Sequence, residues 1–280
     1  MRKFALLLIA ALIFGFAERP TVKWVALGDS ITWLNEHPIP EGNRLSTGYM
    51  KLVQKKLPEL QYVNKGYNGW TAHSIAQKIN ELDLPSADLY TVLLGTNDWW
   101  TCVPAGSLDD YVNDTGDGTV SGAFRIIIDK FRTLNPRAKI ILMTPLQRGD
   151  FVHISGHRNN SWGSYKNNKS GHALSEYAEL IAKIGAYEHI PVIDLYNDRA
   201  FALEKLVNFK RLKGPDGEYH NYKYPDYIDI PFSPDDEYPY PPEAINMTYD
   251  NLHPSDKGYA RIADLLVRKI RKLKIKPAKQ

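Results

Sequence analysis

The chain has 280 residues, 43% hydrophobic and 24% charged, proportions that exclude a disordered, fibrous or multi-span membrane protein. A net charge of +3 is too small for a nucleic-acid footprint, so no polyanionic partner is expected. Cys102 is the only cysteine, which rules out an intrachain disulfide, a Cys-based zinc site and an iron–sulfur cluster; no metal or cofactor is expected.

Met1, Arg2 and Lys3 precede an apolar run over 4–16, and Gly15 and Ala17 place small residues at positions −3 and −1 of a cleavage site before Glu18. This predicts a signal peptide over 1–17 and a protein that is periplasmic or secreted. The run is shorter than the roughly 20 residues of a membrane span, so no stable membrane insertion is expected after cleavage. Residues 18–280 should form a single domain.

Short apolar runs then alternate with segments of helical period, the pattern of βα units on a parallel sheet. Strands are predicted at 22–27, 61–64, 89–94, 139–144 and 192–195. Helical stripes fall between and after them: Tyr49-Leu52-Val53-Leu57, Ala72-Ile75-Ala76-Ile79-Leu82, Phe124-Ile127-Ile128-Phe131, Leu174-Tyr177-Ala178-Ile181-Ile184, and a last amphipathic helix over 258–273. The predicted architecture is a three-layer α/β/α sandwich with five parallel strands and its ligands at the carboxyl ends of the strands. Two stretches break the rhythm. Residues 147–169 are rich in Arg, His, Asn and Gly, and residues 196–249 hold eight of the 17 Tyr with several Pro. The second reads as an ordered aromatic insertion, because disordered segments are poor in aromatic residues.

Chemistry-bearing residues sit where strands end. Ser30 follows the first strand in Gly28-Asp29-Ser30, where a hydroxyl can serve as a nucleophile. Gly66 and Gly69 follow the second, where a glycine can present a backbone N–H to a small anion. Asn97, in Gly95-Thr96-Asn97-Asp98 after the third, could donate its carboxamide to the same point. Asp250 lies three residues before His253, so one short loop can carry an imidazole and the carboxylate that fixes its tautomer. Each motif alone is also an ordinary turn signal.

Taken together, Gly28-Asp29-Ser30, Gly69, Gly95-Thr96-Asn97-Asp98 and Asp250-Asn251-Leu252-His253-Pro254 occur in the order and strand context of the GDSL or SGNH hydrolases, which the chain resembles from about residue 22 to 273. The resemblance implies a flavodoxin-like sandwich and metal-free serine esterase chemistry. Carried over by position, Ser30 is the nucleophile, His253 its base and Asp250 the partner of His253. The N–H groups of Ser30 and Gly69 and the side chain of Asn97 form the oxyanion hole, Gly69 fitting the family's spacing better than Gly66. Asp29 and Asp98 are expected to be structural hydrogen-bonders. The minimal family pattern has nothing like 196–249, which leaves a lid or a partner surface as readings of that insertion.

Trp33, Trp70, Trp99 and Trp100 each fall within five residues of one of these motifs, and indoles can dock sugar rings. With export and Arg148 after Thr144-Pro145, a pattern that resembles the family's sugar esterases, this points to removal of acetyl groups from an acylated carbohydrate. A lipid esterase or lysophospholipase of the same family, and a non-catalytic carbohydrate-binding protein, are the alternatives. Other patterns are weaker. His153 and His157 lack the Glu of a zinc-protease helix, Gly-x-Ser-x-Gly is absent, and Asp235-Asp236-Glu237 reads as a solvated loop. Asn113, Asn159, Asn168 and Asn246 begin glycosylation-type triplets.

Overall fold

A computed structural model describes residues 21–37, 44–154 and 160–275. The expected leader at 1–17, His157 and the triplet beginning at Asn159 lie at least partly outside them. Strands β1 (Val22–Gly28), β2 (Leu60–Gly66), β3 (Leu89–Leu93), β4 (Lys139–Met143) and β7 (Val192–Ile193) form one sheet in the order β2-β1-β3-β4-β7. Every neighbouring pair is parallel. The sheet is covered on both faces, and the period of two in its strands divides the apolar residues between two cores. Trp24, Ala26, Leu89, Leu93, Ile141 and Met143 face one core, closed by α2 (Tyr49–Lys56) and α9 (Asp256–Leu273). Val25, Leu27, Tyr90, Val92, Ile140 and Leu142 face the other, closed by α3 (Ala72–Gln77), α6 (Val120–Leu134) and α7 (Leu174–Tyr187). This is the expected three-layer sandwich. The buried indole N–H on the first of these faces is satisfied, since Trp24 Nε1 donates to Thr91 Oγ1 over 2.9 Å.

Two elements are shorter than their sequence patterns by two residues or more. The stripe at 72–82 stops being helical at Gln77, where bonds from Lys78 N to Ile75 O and from Ile79 N to Ala76 O tighten the chain into turns; Ile79 and Leu82 are still buried. Strand β7 ends at Ile193 because the hydroxyl of Thr144 takes over the ladder, accepting from Leu195 N at 2.8 Å and Tyr196 N at 3.0 Å and donating to Asp194.

Among the described residues, both irregular stretches carry short strands or helices. In the first, β5 (Phe151–Val152) pairs antiparallel with β6 (Asn160–Ser161). In the second, the short helix α8 (Leu203–Leu206) leads to a hairpin of β8 (Lys210–Lys213) and β9 (Tyr219–Tyr222). The insertion has a core of its own, in which Val207, Tyr240 and Ala244 bury themselves with Val152 of β5. The remaining helices, α1 (Ser30–Trp33), α4 (Thr96–Trp100) and α5 (Leu108–Val112), are single turns; α1 and α4 start at the carboxyl ends of β1 and β3.

Candidate active site

Ser30 opens α1, directly after β1. Asp29 caps this turn by accepting the N–H of Ile31 at 3.0 Å, which fixes where Ser30 leaves the sheet. Burial pushes the Asp29 carboxyl up to about 7, against the opposing pull of the Ile31 N–H and the His253 charge.

Asp250 and His253 lie 220 and more positions further on, in a loop closed by a bridge between Thr248 and Pro254 and by a bond from Tyr249 N to His253 O. Asp250 Oδ1 accepts the backbone N–H groups of Leu252 at 3.0 Å and His253 at 2.7 Å, and Oδ2 lies 2.7 Å from His253 Nδ1. A carboxylate can only accept, so Nδ1 carries the proton and Nε2 is left as the acceptor. Ser30 Oγ lies 2.9 Å from Nε2, so the hydroxyl donates to it. The imidazole is held flat by the ring of Tyr249, stacked at 5.8 Å and 15°, and edge-on by Phe151 at 5.5 Å and 78°. Hydroxyl, imidazole and carboxylate thus stand in line, and the carboxylate is buried with its oxygens occupied.

The other residues expected as oxyanion donors, Gly69 and Asn97, lie at the ends of β2 and β3. Residues 67–70 form a turn closed by Trp70 N and Tyr67 O, with Gly69 third in it at φ +77. A β-turn of this kind wants glycine there. Gly66 is different: its backbone is packed against α1, and an added Cβ would stand 2.2 Å from Trp33 N. Among the described residues, no acceptor is bonded to the N–H of Ser30 or Gly69. Asn97, in α4, donates from Nδ2 to Trp70 O at 2.9 Å, which ties the end of β3 to the turn that carries Gly69. Asp98 ties the two strand ends together by accepting from Ala72 N at 2.9 Å and His73 N at 3.3 Å. Burial raises its carboxyl to about 6. Asp29 and Asp98 are therefore structural acceptors, each spent on a backbone terminus.

The aromatic residues separate into two kinds. Trp33 is half-buried and stacks on His37 at 4.0 Å, and Trp70, also half-buried, stacks on Tyr67 at 4.8 Å. Trp100 is half-buried against Trp162. Trp99 corrects the expectation of four indoles around the site: it is fully buried and donates Nε1 to His172 O, so it belongs to the core. Arg148 is likewise enclosed, only 2% exposed, with its guanidinium 4.9 Å from the Trp100 ring, 5.6 Å from Trp99 and 5.8 Å from Phe151. Among the described residues, its Nε and Nη2 have no hydrogen-bond partner. Burial lowers its pKa to about 10, opposed by the charges of Asp250 and Asp150. It is a cation enclosed by Trp99, Trp100 and Phe151 and not a group on an open wall. Sequence reasoning missed Tyr249 and Phe151, which position His253, and Asp150, Lys210 and Asn251, which are taken up below. Only Asn251 carried a signal, by lying inside the Asp250–His253 motif. Among the described residues, no cluster of three His, Cys, Asp or Glu side chains could hold a metal, and no helix is long and apolar enough to cross a membrane.

Residues 26–261 match the GDSL-like Lipase/Acylhydrolase family. The chain belongs to that family, whose members are ester hydrolases, lipases and acylhydrolases. A possible lipase from Chitinophaga pinensis DSM 2588 is 54% identical, with a TM-score of 0.88 over 90% of this chain and 98% of that one. An acetyl xylan esterase shares 19% identity and a TM-score of 0.54 over 89% of this chain and 100% of its own. A lipase/acylhydrolase from Enterococcus faecalis shares 19% identity and a TM-score of 0.52, covering 93% and 100%. The last two show the fold alone. No protein with a curated description matches.

Proposed function

We propose that the protein is an exported serine esterase that removes short acyl groups, acetyl foremost, from a carbohydrate. The observation that carries the hydrolytic reading is the line of Ser30 Oγ, His253 Nε2, His253 Nδ1 and Asp250 Oδ2, with contacts of 2.9 and 2.7 Å. In this reading Ser30 attacks the ester carbonyl as its proton passes to Nε2. Asp250 stabilises the imidazolium, and the N–H groups of Ser30 and Gly69 with the amide of Asn97 hold the oxyanion. His253 then protonates the leaving alcohol, and water repeats the sequence on the acyl-enzyme to release the acid.

The preference for a short acyl group rests on what surrounds the imidazole. Tyr249 and Phe151 occupy two sides of it. With two rings packed on the imidazole, a small acyl group needs less room beside Ser30 than a long alkyl chain does. The carbohydrate reading rests on Trp33, Trp70 and Trp100, partly exposed indoles on the same three segments that carry Ser30, Gly69 and Asn97. Export rests on the leader pattern at 1–17. The test is acetate release from a panel of acetylated polysaccharides, with Ser30→Ala as the control. Release by the wild type, lowered by about 10⁶ in kcat in the variant, is the expected result. The 54% identical relative is described as a possible lipase, so chain length decides between the two readings. Faster cleavage of p-nitrophenyl octanoate than of the acetate would remove the carbohydrate reading.

A further inference from the structure

Besides the Tyr249 ring and the Thr248–Pro254 bridge, the insertion at 196–249 holds the catalytic loop through Asn251. Asn251 sits between Asp250 and His253, fully buried, with φ +72. Its carbonyl accepts from Gly149 N at 2.8 Å, and its Nδ2 donates to two phenol oxygens of the insertion, Tyr227 at 3.0 Å and Tyr240 at 3.2 Å. Tyr240 donates onward to the carbonyl of Asp150. The Asp150 carboxylate accepts from Tyr165 at 2.5 Å and Gly163 N at 3.1 Å, and it faces Lys210 Nζ at 3.5 Å. Lys210 comes from β8 of the insertion, is fully buried, and lies against the rings of Tyr227, Phe232 and Tyr240. Phe151, the residue after Asp150, is the one whose ring stands edge-on to His253. The insertion therefore grips both sides of the imidazole: Asn251 on its own loop and the 150–151 backbone opposite.

We propose that the insertion is a brace and not a lid, and that Lys210 and Asn251 are positioning residues holding the His253 imidazole in line with Ser30. A lid must part from what it covers. The Lys210–Asp150 pair and the bonds from Asn251 to Tyr227 and Tyr240 are buried, and parting them would break an ion pair and two hydrogen bonds at once. The backbone at Asn251 has the same sense. A left-handed conformation is tolerated by asparagine, and the side chain pinned to two phenols keeps the Asp250–His253 turn in that conformation.

The proposal rests on the esterase reading, and its test separates the two. Three variants are compared: Lys210→Met removes the cation, Lys210→Arg retains it, and Asn251→Gly keeps the left-handed backbone while removing the amide. Asn251→Gly adds no volume and remains informative where Lys210→Met unfolds. The readouts are kcat and KM for p-nitrophenyl acetate from pH 6 to 10, the rate at which a fluorophosphonate labels Ser30, and the low-field proton resonance of His253 Nδ1–H. Lys210→Met and Asn251→Gly should lower kcat and the labelling rate about 10- to 100-fold, the loss expected of a misplacement near 1 Å. KM should barely change, and the low-field resonance should broaden.

The pH profile adds a readout that simple loss of stability would not move. Burial lowers the Lys210 ammonium to about 8, with Asp150 opposing that shift. The other groups facing the pair are the phenols of Tyr165, Tyr227 and Tyr240, all raised by burial, and Arg148, whose charge Asp150 also feels. Above about pH 8 the wild type should lose kcat as Lys210 becomes neutral. In Lys210→Arg, whose guanidinium stays charged, that limb should disappear. A rise in KM with unchanged kcat in Lys210→Met or Asn251→Gly would make the insertion a lid or a substrate wall and overturn the brace. An unchanged His253 resonance in both variants would overturn it as well. If the wild type is not labelled at all, yet the resonance weakens in Asn251→Gly, the brace stands and the esterase reading fails.

Discussion

Glycines 66 and 69 sit three residues apart at and after the end of β2, both candidates in sequence although Gly69 fits the family's spacing better, and their surroundings predict different outcomes on substitution. In Gly66→Ala the new Cβ would stand 2.2 Å from Trp33 N and 2.6 Å from both Thr32 C and Trp33 Cα. The nearest of these falls about 1.2 Å short of the 3.4 Å at which ordinary contact begins. All three atoms are backbone of α1, so no side chain can turn aside. The turn that carries Ser30 must move by roughly an ångström or β2 must. Overpacking of this kind costs about 1–3 kcal/mol, and each kcal/mol lowers Tm by about 2–4 °C in a domain of this size. A displacement of the nucleophile by about 1 Å costs on the order of 10² in rate. In Gly69→Ala the Cβ meets nothing within 4 Å, and the N–H remains. Only the left-handed φ of +77 opposes it, at about 1–2 kcal/mol. Turnover of p-nitrophenyl acetate and melting by calorimetry read both variants. Both should melt a few degrees below the wild type, and only Gly66→Ala should lose about two orders of magnitude in kcat. Wild-type turnover in Gly66→Ala would refute the claim that β2 and α1 are packed backbone to backbone beneath Ser30.

Other consequences can be measured on the same protein. Asn97→Ala should lower kcat by roughly 10²–10³ with little change in KM, the usual loss for one oxyanion donor, in steady-state assays with short esters. A larger rise in KM than fall in kcat would assign Asn97 to ground-state binding instead. The carboxyls of Asp29 and Asp98, raised to about 7 and about 6, hold protons in the folded chain that the unfolded chain gives up near pH 4. Their stabilisation is complete below that value and is lost as pH rises to between 6 and 7. Asp29→Asn keeps an oxygen to cap Ile31 N and cannot ionise. Its urea midpoint should gain on the wild type between pH 5 and pH 8, and a constant difference would show that Asp29 titrates normally. Trp33→Ala and Trp70→Ala should raise KM for an acetylated oligosaccharide while leaving p-nitrophenyl acetate turnover near the wild type; equal effects on both substrates would place these rings in the framework.

The sheet could be read from the sequence because its five strands are short apolar runs whose alternate residues feed two cores, and helices of period 3.6 lie between and after them. Where the reading overshot, side chains had intervened. The hydroxyl of Thr144 ends β7 by taking two backbone N–H groups, and nothing in the run 192–195 announces that. The site's main residues were legible because each stands beside a strand end or, like Asp250 and His253, within three positions of its partner. Trp99 and Trp100 show the limit of such proximity. They are consecutive residues of one helical turn, one fully buried and the other half-buried, and only the packing of α7 and the 147–169 stretch decides which is which. The contacts of the insertion left no local trace at all. Asp150 and Lys210 are 60 residues apart, and Tyr240 reaches Asp150 across 90. No motif or period connects residues at such separations, and Tyr is as common in ordinary cores as in braces.

The central claim is that the hydroxyl of Ser30 is made nucleophilic by His253. Its most direct measurement is covalent labelling by a fluorophosphonate, followed by mass spectrometry of the peptide that contains residue 30, in the wild type and in His253→Ala. A single adduct on Ser30 in the wild type, essentially absent from the folded variant over the same time, is the predicted result. An unlabelled wild type, or equal labelling with and without the imidazole, would contradict it.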